Sequence, residues 1–539
     1  MFARISDEAA RRFPHRPAVV APDGVLTYGE LADYSIRLAH GLADLGISRG
    51  DVVLLALHSG CDWLVAALAT ARVGAAFAGL SPVLSTDERS AIARMVRPGL
   101  ILAAPDQVDG MPLRRPVSVI DPGSRGSALW PKPDFESAGP GSADPGSADP
   151  GSAGPRDAGT WTPVTIATSS AESTAPPPDS DNPAVICFTS GTTGTPKAAM
   201  YTEAQLSAIQ TIDLGPDAES IWDGGSPMLA STQFAHVGMS TKFPWYIRRG
   251  MTLHVMDRWR ADDALRLVAR HHMPAIGAIA PQLALMLRSP LMDELDLSSV
   301  RMLIAGGAAS PAPLVREARE RFGAAYSIRY SSTESGGVGL ATDASTNDES
   351  EWSTVGRPRE GIEVRIADSA DEEVPDGEEG ELQLRSGAIM HSYWNDPVAT
   401  ERALTTDRWL RTGDLARLDG QGRVVLVGRK SDMYIRGGYN VFPAEVEAVL
   451  LEHPAVADVV VTPQRDDVMG ETGVALVVPV SGSVPTLADL REFASDRLAR
   501  YKLPERLLVI ERVPLSAAQK IDRRAAASLL ADHLQGDPK

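Results

Sequence analysis

Cysteine is almost missing from these 539 residues: Cys61 and Cys187 are the only two. Two thiols with no paired spacing exclude a disulfide framework and a cysteine-built zinc site, and they fit a reducing cytoplasm. Positive charge is scarce as well. Acidic residues outnumber basic ones 70 to 52, for a formal charge of −18. A surface of that sign repels phosphate backbones and anionic lipid, so neither nucleic acid nor a membrane surface is an expected partner. Long apolar runs are lacking too. The longest, 64–80, carries Arg72 at its middle. One arginine at a bilayer centre costs about 2.5–3.5 kcal/mol, so the run reads as protein core and no membrane span is expected. Asp7 and Glu8 arrive before any apolar run, which is not the pattern of a secretory signal. Lysine is rarer than any other charged residue, with seven against 45 arginines. A codon bias toward arginine explains the ratio. A lysine that survives it marks a place where a planar fork cannot replace a compact ammonium.

What is present is the balance of a globular enzyme, with 43% hydrophobic and 23% charged residues. At about 100–200 residues per domain the length predicts three or four domains or subdomains. Residues 4 to about 120 alternate helical and strand patterns, such as a helix over 31–45 and a strand over 51–57, which predicts α/β layering. From 121 to 181 the chain turns to Pro, Gly, Ser and Ala, with a Gly-Ser-Ala-Asp-Pro pentad repeated over 141–155. Such pentads have no apolar face to bury, so a disordered loop or linker is expected. Short strands follow at 184–188, 198–201 and 301–305. Ser310-Pro311 reads as a helix start with serine as N-cap and proline at the first helical position. The last hundred or so residues read as a small α+β unit. It has a helix from Pro443 with Val446, Val449 and Leu450 on one face, strands at 456–462 and 474–480, and a helix over 486–500.

The sharpest chemical signal is Thr189-Ser190-Gly191-Thr192-Thr193-Gly194-Thr195-Pro196-Lys197. Glycines let backbone amides turn toward a ligand, hydroxyls add hydrogen bonds, and the lysine adds a point charge. That is the chemistry of a phosphate cradle. It is not a Walker loop, because Ala198 and not a hydroxyl follows the lysine. Further elements occur in order along the chain. They are Leu26-Thr27-Tyr28-Gly29-Glu30-Leu31, Gly74-Ala75-Ala76 with Ser81-Pro82, Tyr330-Ser331-Ser332-Thr333-Glu334, Arg411-Thr412-Gly413-Asp414, Gly428-Arg429-Lys430-Ser431-Asp432 with Gly437-Gly438, Tyr501-Lys502-Leu503-Pro504, and the segment 514–523. Together they resemble the adenylate-forming ligases, the superfamily of acyl- and aryl-CoA synthetases, amino-acid adenylation enzymes and luciferases. The resemblance spans nearly the whole chain.

The resemblance implies an α/β fold with a large multi-subdomain N-terminal adenylation domain over 1–428 and a small α+β C-terminal lid over 429–539. It implies ATP, Mg²⁺ and coenzyme A as cofactors, a small carboxylic acid as substrate, and attack of that acid on the α-phosphate with loss of pyrophosphate. The acyl group then passes to the CoA thiol. Thr189, Ser190, Gly191, Thr192, Thr193, Gly194 and Lys197 would cradle phosphates; Glu334 would hold the metal; Tyr330, Ser331, Thr333, Asp414 and Arg429 would serve the nucleotide, with Asp414 accepting the ribose hydroxyls. Gly306, Gly307 and Ala308 would let adenine lie against backbone, and the face around Gly438 would meet the thiol. Lys520 would bridge carboxylate and α-phosphate, although Gln519 stands where relatives place glycine. Ser431 matches the hinge position.

Phe234-Ala235-His236-Val237-Gly238 is similar to the segment where acyl-CoA relatives carry an aromatic or histidine gate beside the carboxylate. Amino-acid-activating relatives keep an aspartate there, and no acid occurs between Gly224 and Gly250. A carboxylate–CoA ligase is therefore the expected function. Two alternatives stay open: an acyl-AMP ligase that serves a carrier-protein thiol or an amine, and a nucleotide-binding pseudoenzyme.

Overall fold

Three strands in the first part of the chain, Val52–Ala56, Ala76–Gly79 and Leu100–Ala103, are buried at every position. Uninterrupted burial marks parallel strands covered on both faces, and these three do pair in parallel. The structure, a computed structural model, describes residues 1–109, 111, 117–119, 162–163, 179–189, 196–308, 310–515 and 521–536. The chain divides into two compact units, 1–260 with 390–397, and 261–389 with 398–539.

In the first unit the parallel strands belong to an eight-stranded sheet. It continues through Pro183–Thr189, Lys197–Thr202 and Ser392–Tyr393 on one side and ends at Thr162–Pro163 on the other. Thr162–Pro163 pairs with Val117–Val119, so part of the stretch expected to be disordered is a strand; most of 121–181 lies outside the described residues. A separate four-stranded sheet of Pro227–Ala230, Thr252–Val255, Pro17–Ala21 and Gly24–Thr27 lies in the same unit. The apolar run 64–80 is shared between the helix Cys61–Arg72 and the strand Ala76–Gly79, and it is core as expected. Arg72 is fully buried and donates to Asp7 at 2.6 Å and Ser35 at 2.9 Å, which offsets the cost of desolvating its charge. Trp63 of that helix packs on Phe77, Phe234 and Phe243 with ring centroids 5.3–5.6 Å apart, and so fixes the segment that carries His236. The helix expected at 31–45 runs Tyr28–Asp44. It starts earlier because Thr27 and Glu30 form a reciprocal capping box.

The second unit holds three sheets. In the first, Ala275–Ala278, Met302–Gly306 and Ala325–Tyr330 are parallel. In the second, Glu363–Ala367, Gly380–Arg385, Leu410–Leu418 and Val424–Arg429 are antiparallel neighbours. The third centres on the hairpin Val456–Asp466 and Gly470–Pro479. Its alternate residues feed two cores, Val459, Val461, Ala475 and Val477 on one face and Val460, Val474 and Leu476 on the other. Helices Pro443–Leu450 and Leu487–Ser495 cover the first face, and Arg523–Gly536 the second.

Two helix expectations need correction. The helix after Ser310 begins at Ala312, with Pro311 at its cap. Ser310 lies one residue before that cap, and its hydroxyl accepts from the Tyr326 phenol at 3.1 Å. The helix expected over 486–500 stops at Ser495, because Leu498 and Leu503 beyond it turn into the core.

Among the described residues no helix is long and apolar enough to cross a membrane.

Candidate active site

The parallel strands Met302–Gly306 and Ala325–Tyr330 end side by side, with Gly306 paired to Arg329. In open α/β sheets ligands sit beyond such carboxyl ends. Both loops that leave these strands carry residues expected from the sequence. Gly307 turns the chain at φ +77°, in the left-handed region that suits glycine, and a Cβ on Gly306 would stand 3.1 Å from the Arg329 carbonyl oxygen. Gly306, Gly307 and Ala308 thus present backbone. After Tyr330, Ser331 leads into a compact turn. Ser332 and Ser335 exchange bonds at 2.9 and 3.1 Å, and the Gly336 amide donates to Thr333 at 3.2 Å. Thr333 and Glu334 ride on that turn, half-buried. Among the described residues no three or more His, Cys, Asp or Glu are grouped to hold a metal. A metal at Glu334 would fit one that takes one or two protein carboxylates and draws its other ligands from phosphate and water, as Mg²⁺ does.

Asp414 is the focus of this corner. It is only 8% exposed, on the strand Leu410–Leu418, directly paired with Arg429 on the neighbouring strand. The Tyr330 hydroxyl donates to its Oδ2 at 2.5 Å and Arg429 Nε donates to its Oδ1 at 2.8 Å. Burial first, then the charge of Asp414, pushes the Tyr330 phenol well above its ordinary range, so it remains a donor. Burial, the largest single influence, pulls the Arg429 guanidinium down, but the charge and hydrogen bond of Asp414 together with Tyr330 and Asp432 make the net shift upward. Each carboxylate oxygen keeps a second lone pair for a ligand. Glu381, which the sequence reading passed over, accepts from the Gly413 amide at 2.9 Å and faces Lys430 at 3.7 Å. Its strand position gave no chemical signal in sequence.

The structure therefore joins Tyr330, Asp414 and Arg429, with Gly306–Ala308 on the adjacent strand end. Gly438 lies elsewhere in this unit, at the turn between Tyr434–Arg436 and Tyr439–Val441, with φ +88°. In the first unit Thr189 and Lys197 are paired across the two strands that flank the glycine-rich loop. Ser190, Gly191, Thr192, Thr193 and Gly194, and likewise Gln519 and Lys520, lie outside the described residues. His236 is exposed and caps the short helix Val237–Ser240. The Gly238 amide donates to its Nδ1 at 3.2 Å, which leaves Nε2 as the donor position of a neutral ring.

A parallel-sheet corner with glycine turns and a doubly held aspartate defines a nucleotide-binding α/β protein. Residues 6–394 match the AMP-binding enzyme family and 445–520 match the AMP-binding enzyme C-terminal domain; the chain belongs to this family. It is 29% identical over 528 residues to an indoleacetate–CoA ligase of Aromatoleum aromaticum, covering 97% of each chain. A solved o-succinylbenzoate CoA synthetase of Bacillus subtilis, in complex with its acyl-adenylate intermediate, matches with a TM-score of 0.76 and 25% identity over 99% of this chain and 98% of that one. The same enzyme with ATP and magnesium matches at 0.75 and 26%, over 96% and 98%.

Proposed function

We infer that this chain is an AMP-forming carboxylate–CoA ligase. A carboxylate oxygen attacks the α-phosphorus of ATP, the bond to the β-phosphate oxygen breaks, and pyrophosphate leaves. The CoA thiol, losing its proton, then attacks the acyl carbon and AMP departs. One observation carries the reading: Asp414, buried between the Tyr330 hydroxyl and Arg429, is an ionised-acceptor corner suited to a ribose diol. The CoA-ligase relatives support the acceptor.

In this reading 1–428 form the adenylation domain and 429–539 its lid. Thr189, the loop Ser190–Gly194 and Lys197 hold phosphates, Gly306–Ala308 lie along the adenine, and Ser331 and Thr333 add hydroxyls beside the nucleotide. Glu334 holds Mg²⁺, which offsets charge on the departing pyrophosphate. His236 faces the acid, and the Gly438 turn faces the thiol. Lys520 concentrates positive charge where two anions must meet on a protein of net charge −18. The acid lacks an α-ammonium, since no carboxylate occurs between Gly224 and Gly250 to pair with one. Two buried free thiols, Cys61 and Cys187, favour the cytoplasm.

The test is pyrophosphate release across aryl, fatty and amino acids, with and without CoA. Release together with a CoA thioester is expected for an acid without an amino group. Release without thioester would redirect the acyl group to a carrier thiol or an amine, and ATP binding without release would make the chain a pseudoenzyme. Lys520→Ala should cut adenylation by about 10²–10³-fold while supplied acyl-AMP still becomes thioester.

A further inference from the structure

Four lysines fall among the described residues, and three of them face a carboxylate. Lys242 pairs with Asp213, Lys430 stands 3.7 Å from Glu381, and Lys502 donates to Glu445 at 2.6 Å. Lys197 differs. Among the described residues it has no carboxylate partner, and its ammonium lies 5.2 Å from the centre of the Tyr393 ring, inside the range of a cation–π contact.

The register of the sheet produces this meeting. Tyr393 pairs with Ala199 in the antiparallel ladder between Ser392–Tyr393 and Lys197–Thr202. Lys197 is two residues before Ala199, on the same face, so Tyr393 is its diagonal neighbour across the strands. The ring is fixed in place. It is 4% exposed, and the short strand is tied on both sides by His391 N–H to the Met200 carbonyl at 2.9 Å and Trp394 N–H to the Ala198 carbonyl at 2.7 Å. The Trp394 indole adds a bond to the Val96 carbonyl at 3.2 Å. A lysine has four flexible methylenes and gains order only from what its ammonium meets. A carboxylate in that place would restrain it but cancel its charge. An aromatic face restrains it and leaves the charge uncancelled for a polyanion.

We propose that Tyr393 is a positioning residue for Lys197, its ring holding the ammonium ready for the phosphates of ATP. The proposal rests on the phosphate role of Lys197 stated above. The experiment grades the ring's attraction at nearly constant shape: Tyr393→Phe, then phenylalanines with one, two and three ring fluorines at the same position. Pyrophosphate exchange gives KM for ATP and for the acid, and a separate assay converts supplied acyl-AMP to thioester. Tyr393→Phe should stay within about twofold of the parent, and three fluorines should raise KM for ATP about 5–10-fold, rising stepwise with fluorine number. KM for the acid and the thioester step should not move. In a Lys197→Met background, itself impaired for ATP, the same series should be flat.

A flat fluorine series in the parent background, or an equal slope in both backgrounds, would overturn the Tyr393 role and leave the Lys197 reading standing. If Lys197→Met left KM for ATP unchanged, both would fall together.

Discussion

Asp414 has a tyrosine hydroxyl on one oxygen and a guanidinium on the other at 8% exposure, and the two donors replace water that burial removed. The Tyr330 phenol is held in its protonated form by burial and by Asp414, so it stays a hydrogen-bond donor to that carboxylate. A hydrogen bond to a charged acceptor is worth about 1.5–3 kcal/mol. Tyr330→Phe should therefore weaken ATP by about tenfold or more. It should weaken acyl-AMP by a similar factor, because both carry the same ribose, while KM for the acid stays put. Steady-state and acyl-AMP titrations read these separately, and a change confined to the acid would place Tyr330 outside the nucleotide corner. Asp371 is a second carboxylate with a clear cause. Arg411, at 2.5 and 2.8 Å, holds it down to about 2 against an opposing burial effect, with Gln383 helping. A depressed carboxyl contributes stability that is fully present above the unfolded value of about 3.9 and is lost as pH falls toward the folded one. The pair is about 30% exposed, so its worth is capped near about 1 kcal/mol. Asp371→Asn suits the backbone, since φ is +63° and asparagine tolerates that region. Its urea midpoint should fall at pH 7, and the gap should narrow as pH drops from about 4 and close near about 2. A gap that stays constant down to about pH 3 would assign the loss to packing instead.

Elements set by their own apolar pattern were legible in the sequence. The strands Val52–Ala56 and Pro183–Thr189 follow from apolar runs, and Val456–Asp466 with Gly470–Pro479 from runs whose alternate residues serve opposite faces. Elements decided by distant partners were not. Ser310 looks like an N-cap in sequence, but the cap falls on Pro311 and the serine hydroxyl meets the Tyr326 phenol, sixteen residues on. The two-residue strand Ser392–Tyr393 exists only because Lys197–Thr202 offers an edge almost two hundred residues earlier. The site divides the same way. Asp414, Arg429 and Tyr330 could be named from motifs, but that one phenol and one guanidinium take the two oxygens of one carboxylate is a fact of strand register. Register also frames the hinge expectation. The Lys430 amide still bonds to the Gly413 carbonyl at 2.9 Å, while Ser431 turns to its neighbour Asp432, at 2.9 Å, and not to the sheet. Ser431→Pro fixes φ near about −65° at that step. Pyrophosphate exchange should stay near the parent and thioester formation should drop about tenfold, the signature of a slowed gate. Two unchanged half-reactions would move the pivot away from Ser431.

For the molecule as a whole, the question is what ties together the proposed lid, residues 429–539. Arg523, the first residue of the helix Arg523–Gly536, donates to Asp432 at 2.9 Å, to both oxygens of Glu447 at 2.6 and 2.9 Å, and to the Val461 carbonyl at 3.3 Å. Glu447 belongs to the helix Pro443–Leu450, is 6% exposed, and also accepts from the Val461 amide at 2.7 Å. One guanidinium thus ties the residue just after Ser431 to a helix and to the central hairpin of the small sheet. A pivot at Ser431 would turn all of this together. Arg523 also follows Lys520, the lysine proposed to bridge carboxylate and α-phosphate, by three positions in the sequence. Removing it leaves Glu447 buried with too few donors, and breaking a buried pair costs about 3–5 kcal/mol, less here because Arg523 is 27% exposed. Arg523→Met should lower the melting temperature of the full chain and abolish pyrophosphate exchange, yet ATP should still bind the corner of Tyr330, Asp414 and Arg429. Glu447→Gln in the same chain should recover part of the stability, because the stranded charge is gone. If Arg523→Met melts as the parent does, the guanidinium is not what unites the lid. If ATP binding is lost along with stability, the nucleotide corner and the lid are one cooperative body and cannot serve two half-reactions by turning against each other.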